Sequence, residues 1–311
     1  MSLPPDQKGL RWLLAASYGS VFVAFLLIAA KLVAWYLTDS ASMLGSLLDS
    51  VMDSMASLIN MVAVRYSIRP ADEDHRFGHG KAESLAGLAQ SGFILASAIL
   101  LLVHCVERLA GPAPLALENA SIGIAVTVFA LCSTFALVAV QSHAIRLTGS
   151  TAIRADSLHY KSDILLNLSV MAALGGASWG FPRIDAVFGA GIAFFIAYGA
   201  WRIGWEAFDM LMDRELPPEV DQEILALALA HREVLGVHDL RTRRSGNRYH
   251  IQLHLEFADE TALLSAHNVA DEVEAAIGAR FPGADIIIHQ DPQGIVASER
   301  EAPDAVSLRS V

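Results

Sequence analysis

Long apolar runs dominate the first two thirds of the chain and then stop. Six have spanning length, at about 12–37, 42–66, 84–106, 119–142, 158–180 and 184–208, close to the ~20 residues needed to cross a ~30 Å hydrocarbon core. From Asp213 the period changes. Residues 219–233 set Ile224, Leu225, Leu227 and Leu229 among acids, which predicts an amphipathic helix. Residues 236–244 and 248–257 read as strands joined by the turn Ser245-Gly246-Asn247. In the second, Ile251, Leu253, Leu255 and Phe257 alternate with His250, Gln252, His254 and Glu256. A helix over 261–281 and a strand over 284–290 complete an αββαβ order, expected to form a small two-layer α+β domain. The pattern therefore divides the chain into a six-span α-helical membrane domain (1–212), a soluble α+β domain (213–292) and a tail without periodicity (293–311), expected to be flexible.

Composition agrees with this division. The 311 residues are 54% hydrophobic and only 18% charged, below the roughly 25% charge of soluble domains. Lys8 and Arg11, then Arg65, Arg69, Arg76 and Lys81, then Arg146 and Arg154 occupy alternate connections. Arg108 and Arg183 occupy the opposite set. The positive-inside bias then puts both termini and the soluble domain in the cytoplasm. The start of the chain lacks the basic segment, apolar core and cleavage site of a signal peptide. The part from Asp213 onward carries 18 Asp and Glu against nine Arg and no Lys, and six of the eleven histidines. Such an acidic domain repels nucleic acid and anionic lipid and suits cations. Cys105 and Cys132 lie in apolar spans and are expected to pack there.

The candidate chemistry begins inside the spans. Asp49 and Asp53 share one helical face in span two, and His159 and Asp163 share one in span five. A carboxylate at the bilayer centre costs about 2.5–3.5 kcal/mol even on the lenient insertion scale, so the two faces are expected to meet around a shared cation. Three carboxylates and an imidazole form a four-coordinate donor set, and the imidazole favours zinc or iron over magnesium or calcium. Polar residues can also simply join helices, but two such pairs on separate spans point to an ion site. Lys161 projects away from that face. In the connection after span two, Asp72, His75 and His79 form a possible loop site, with Glu73 and Asp74 as spares; a solvated loop is the equal alternative. In the soluble domain His238, His254, His267, His289 and Asp291 are expected to converge on metal, with Asp291 able to bridge two ions and His250 a possible addition. His231, His104 and His143 are expected to be helix-end or interfacial residues. Lys81, entering span three, and Asp213, leaving span six, are one possible ion pair between the spans and the soluble domain.

The segments LLDSVMDS, ADEDHRFGHGKAES, ADSLHYKSD, GVHDLRTR and IIIHQDP together resemble the cation diffusion facilitator family, and within it the bacterial zinc and ferrous-iron exporters. The likeness runs from about residue 10 to 293. It implies a metallochaperone-like cytoplasmic domain, a homodimer in the bacterial inner membrane, and exchange of metal for protons. Carried over by motif, Asp49, Asp53, His159 and Asp163 form the transport site, and Asp72, His75 and His79 the loop site. His238, His254, His267, His289 and Asp291 form a binuclear cytoplasmic site with Asp291 bridging, while Lys81 and Asp213 form salt bridges at the dimer junction. His250 departs from the family's apolar residue, and the long histidine-rich loop of eukaryotic relatives is absent.

The expected function is export of Zn2+, with Cd2+ or Fe2+ as further cargo, by alternating access driven by protons and regulated by metal on the soluble domain. In this scheme spans one, two, four and five rock against spans three and six. Ligands must lose their protons to bind metal, and His159, whose type titrates near neutral pH, is the expected exchanging group. No organic cofactor or nucleic-acid partner is expected. HExxH and GxxxxGK[ST] are missing from the sequence, so neither an intramembrane protease nor a nucleotide-driven pump is expected. A metal-gated channel or metal-sensing receptor is the alternative.

Overall fold

In the computed structural model the described backbone comprises residues 7–38, 41–110, 120–177 and 184–301. Six long helices come first: α1 (Gln7–Thr38), α2 (Ala41–Ser67), α3 (Lys81–Ala110), α4 (Ala120–Thr148), α5 (Thr151–Ala177) and α6 (Ile184–Leu211). None contains a proline. Pro70 falls in the connection after α2, where its missing N–H and fixed φ cost no helical hydrogen bond. By length and composition five of the six, all but α5, can cross a membrane among the described residues. Helix α5 concentrates Arg154, Asp156, His159, Lys161 and Asp163 in its first half.

Small residues fill the contacts between these helices. Ala16, Ala144, Ala152, Ala155 and Ala207 are fully buried, while Phe22, Leu100 and Phe194 lie about 70% exposed at 68%, 70% and 71%. A soluble bundle would invert that order. In lipid, large apolar groups gain nothing by leaving the surface, and close approach through small side chains drives packing. Leu13, Val64 and Ile153 join α1, α2 and α5 in one cluster. Ile94, Leu158, Ile196 and Ile203 join α3, α5 and α6 in another.

The helix carrying half of the expected transport site starts seven residues earlier than its hydrophobicity predicts. Gly149 takes φ of 62° and its N–H closes on Ile145 O at 2.8 Å, ending α4 in the left-handed conformation glycine adopts without strain. Ser150 Oγ then accepts the Ile153 N–H at 3.1 Å, an N-cap for α5. The Thr151 N–H is taken by Glu83 Oε1 of α3 at 3.0 Å. Arg154 and Asp156 thus lie within the bundle, Arg154 paired with Glu206 of α6.

The second compact unit begins at Asp209. It contains α7 (Pro218–Leu229), β1 (Gly236–Ser245), β2 (Arg248–Phe257), α8 (Leu263–Arg280), β3 (Asp285–Pro292) and α9 (Gln293–Glu301). Pro218 opens α7 at its first turn, where a missing N–H is harmless. The sheet order is β1-β2-β3, antiparallel then parallel, with α8 forming the crossover that a parallel pair requires. Ile251, Leu253 and Leu255 pack on Ile224, Ala228, Val269, Val273 and Ile277. The expected αββαβ order is observed. Residues 293–301 depart from the unstructured tail expected there: they form α9, and Val296 is 1% exposed. Three consecutive apolar residues, Ile295, Val296 and Ala297, were too few to show a helical period. Residues 302–311 lie outside the described part.

Candidate metal centres

Helices α2 and α5 run antiparallel along a polar seam. Asn60 Nδ2 donates to Ala152 O at 3.3 Å. Ser57 Oγ lies 3.1 Å from Tyr160 Oη, and Asp53 Oδ1 lies 3.2 Å from His159 Nε2. Asn60 thus meets the start of α5, and Ser57 and Asp53 meet the turn of α5 that carries His159 and Tyr160. His159 Nε2 is also 3.8 Å from Asp163 Oδ2. The ligand atoms of Asp53, His159 and Asp163 all lie within 4.8 Å of one another. Asp49, expected as the fourth member, is exposed and outside this group. Lys161 is exposed, as its position predicts.

One turn before His159, Asp156 is a hub that the sequence reading missed. It is 0% exposed. Its Oδ2 accepts from Ser20 Oγ of α1 at 2.5 Å and Gln141 Nε2 of α4 at 2.8 Å. Its Oδ1 accepts from Gln90 Nε2 of α3 at 3.2 Å and lies 3.4 Å from Ser57 Oγ of α2. Tyr160 Oη donates to Ser20 O at 3.1 Å beside it. One carboxylate therefore joins five helices, with hydrogen-bond donors rather than a cation around it. Lys31 of α1 also escaped notice as a lone charge in an apolar span. Its Nζ bonds Ser50 Oγ at 2.6 Å and Ser46 O at 3.1 Å. Isolated Ser and Gln residues carry no periodic signal, although a lone intramembrane charge always asks for a partner.

The loop residues also meet. Asp72 accepts the backbone N–H groups of Asp74 and His75 at 3.1 and 2.7 Å. Its carboxylate lies 3.4 Å from His75 Nδ1 and 3.2 Å from His79 Nε2. The His75 backbone N–H holds the Asp72 carboxyl below its ordinary range, helped by the charges of His79 and His75. It thus stays an anionic donor. The Tyr66 ring packs edge-on against His79 at 4.5 Å, with Arg69 over its face at 5.2 Å. Glu73 and Asp74 are exposed beside the cluster and outside it.

In the soluble unit the parallel pairing sets His254 beside His289. Asp291 Oδ2 lies 2.7 Å from His254 Nδ1 and 3.5 Å from His238 Nε2, and its Oδ1 lies 3.1 Å from His289 Nε2. One carboxylate thus has imidazoles against both of its oxygens, and the ligand atoms of His238, His254 and Asp291 lie within 4.8 Å of one another. Two further acids were missed. Glu256 accepts His238 Nδ1–H at 3.0 Å and is 3% exposed; this second-partner contact fixes the imidazole so that Nε2 faces Asp291. A Cβ on its strand neighbour Gly236 would lie 2.7 Å from the Glu256 carboxylate. Asp239, at φ of 47° in the β1 bulge, comes within 3.9 Å of His254 Nε2. The alternation of His254 with Glu256 already signalled the first.

Two histidines considered as ligands stand apart from this cluster. His267 is exposed on α8 and pairs with Asp271 at 3.6 Å, apart from the cluster. His250 shares a strand face with His254 but sits four residues away, about 13 Å along a strand, and bonds Asp285 at 3.1 Å. Asp213 receives Arg243 Nη1 at 3.1 Å within its own unit, and Lys81 opens α3. Cys105 is buried as expected, against Gly189, whereas Cys132 is exposed: its side of α4 belongs with the outward-facing apolar residues.

Burial, with the charge of Arg243 next, pushes the His250 imidazole below its ordinary value of 6.5. A histidine lowered in the folded state binds fewer protons than the unfolded chain, so stability falls as pH drops through about 6.5. Amide protection of β2 and β3 should decline below that pH. His250→Leu should remove part of the decline, and an identical profile in the variant would assign it elsewhere.

Comparison with known proteins agrees with this architecture. The family described as the cation efflux transmembrane domain matches residues 17–212, and the cation efflux protein cytoplasmic domain matches residues 216–293. The cation-efflux pump FieF of Yersinia pestis (strain Pestoides F) is 50% identical over 297 residues, 96% of this chain and 98% of the relative. FieF of Yersinia pseudotuberculosis serotype O:3 (strain YPIII) has the same values. A solved structure of CzrB in its Zn form is 40% identical, with a TM-score of 0.25, and covers 26% of this chain and 94% of its own. The two matched domains and the half-identical full-length relatives make the chain a member of the cation efflux family, a membrane transporter of metal cations rather than an enzyme.

Proposed function

We propose that this transporter exports Zn2+, and with it Cd2+ or Fe2+, from the bacterial cytoplasm through the inner membrane in exchange for protons. The convergence of Asp53, His159 and Asp163 between antiparallel α2 and α5 carries the reading. Two carboxylates and an imidazole suit a tetrahedral transition-metal cargo, and Asp49, one turn away, completes the set by a change of rotamer. These ligands bind metal only when deprotonated. Protons arriving from outside therefore compete for the same lone pairs and release the cargo. Alternating exposure follows if α1, α2, α4 and α5 rock against α3 and α6. Basic residues on alternate connections support cytoplasmic termini.

The remaining centres fit the same role. Asp72, His75 and His79 offer a docking point for incoming metal. The soluble domain works in a homodimer, where its His238–His254–His289–Asp291 cluster takes up regulatory zinc and offsets part of the acidic charge that keeps subunits apart. Lys81 and Asp213 act at the dimer junction.

The deciding experiment is flux in proteoliposomes under an imposed pH gradient. Zn2+ should accumulate against its own gradient when the opposite compartment is acidified, and collapse of the gradient should stop it. Flux that only runs downhill would replace this reading by a metal-gated channel.

A further inference from the structure

We infer that Lys31 is a tethered counter-charge of the intramembrane site, and that it sets the site's affinity so that a dication is both taken up and released. The inference rests on the reading of Asp53, His159 and Asp163 as the cargo site.

Lys31 projects from α1 onto the α2 segment that bears the carboxylates. Its ammonium donates to Ser50 Oγ at 2.6 Å and to Ser46 O at 3.1 Å. Ser50 is 5% exposed and lies between Asp49 and Asp53 in the chain. Two hydrogen bonds to one helix hold the charge in place. Ser46 and Ser50 flank Asp49 on α2, and Ser50 is three residues before Asp53, so the ammonium is held within about one helical turn of both α2 carboxylates. Lys31 therefore stands beside the α2 wall of the site without being one of its ligands, since an ammonium has no lone pair to offer.

Charge balance gives this placement its meaning. Asp49, Asp53 and Asp163 carry three negative charges when ionised, and neutral His159 adds none. The Lys31 ammonium offsets one, leaving two for a dication to offset. A site with all three uncompensated would hold a dication too firmly in a low-dielectric interior, where each uncompensated charge weighs heavily. Transport needs a cargo bound well enough to enter and weakly enough to leave. Lys31 supplies the second condition by repelling the cargo at short range.

The test uses full-length protein in which the other two centres are disabled by His79→Ala and His254→Ala, with Zn2+ alone as the probe. Lys31→Met in that background should tighten Zn2+ binding by about tenfold, as expected for removing one nearby repulsive charge at intermediate dielectric. In otherwise wild-type proteoliposomes the same change should lower both KM and kcat, because release becomes slow. Lys31→Arg should keep wild-type values. If Lys31→Met fails to fold, Lys31→Gln, which keeps hydrogen-bonding capacity, decides the matter in the same assays. Unchanged or weaker Zn2+ affinity, or loss of kcat at constant KM, would overturn the inference and leave Lys31 a structural tether. Tightening that persists after Asp163→Ala is added would overturn it as well. If instead Asp163→Ala alone leaves binding and flux intact, the cargo-site reading itself has failed, a result distinct from either of those.

Discussion

Asp163→Ala should reduce proton-driven Zn2+ flux by more than about a hundredfold while leaving the folded protein intact. Loss of an outer partner of a metal ligand costs roughly 10–100-fold in affinity, and Asp163 is placed as a ligand itself. It lies 3.8 Å from His159 Nε2 and belongs to the group whose donor atoms are within 4.8 Å of one another. Removing it leaves the proposed set of Asp49, Asp53 and His159 one donor short of the four that a tetrahedral dication takes. The side chain makes no hydrogen bond that staples the bundle, in contrast to the Asn167 amide, which donates to the Asp163 backbone carbonyl at 2.8 Å and survives the change. Encapsulated fluorescent chelator in proteoliposomes measures the flux, and size-exclusion behaviour in detergent measures folding. Wild-type flux in this variant would remove the α2–α5 seam from the transport path.

Asp156→Ala should have the opposite profile, a folding defect that precedes any transport defect. The carboxylate collects donors from α1, α2, α3 and α4 around α5. Deleting it removes the acceptor these donors share, although Ser20, Gln141 and Ser57 keep contacts to Ala16 O, Ser20 Oγ and Tyr160 Oη. Intramembrane hydrogen bonds average about 0.6 kcal/mol and reach about 1.7, so four lost together amount to roughly 2–7 kcal/mol as an upper range. Asp156→Asn should be milder. The Gln90 and Gln141 carbonyl oxygens have no hydrogen-bond partner in the present arrangement, and a flip of either amide turns an acceptor toward the new Asn N–H2. Thermal unfolding in detergent should therefore rank wild type above Asn and Asn above Ala. Equal stability of Ala and wild type would mean that the hub does not hold the bundle together.

Much of this architecture was legible before any coordinates. Six apolar blocks of spanning length specify membrane helices because lipid tolerates no unpaired backbone. The alternation in 248–257 specifies β2 residue for residue. Two acidic or imidazole groups at i and i+4 inside such blocks point to a cation site, since each charge there asks for a partner. What stayed hidden has a common cause. Ser20, Ser57, Gln90, Gln141 and Lys31 are single polar residues without a period, and their meaning depends on which helix faces which. Hydrophobicity also misplaced the start of α5, because Arg154 and Asp156 look like loop residues until Glu206 and the four-helix donor set surround them.

The soluble domain shows the same boundary from the other side. His238, His254, His289 and Asp291 could be named from the chain, but only the parallel pairing of β2 with β3 brings His254 level with His289 and carries Asp291 up to His238. The same register excludes His250, which is level with Asp285 at the far end of the strand. Local pattern alone determined the elements, their order, the membrane character and the residue types available for metal. Tertiary structure alone decided which of those residues share a site, because helix rotation and strand register are settled by packing against partners far away in the chain. Asp49 and Asp53 have the same spacing as His159 and Asp163, yet only Asp53, His159 and Asp163 gather their donor atoms, a difference that no one-dimensional spacing records.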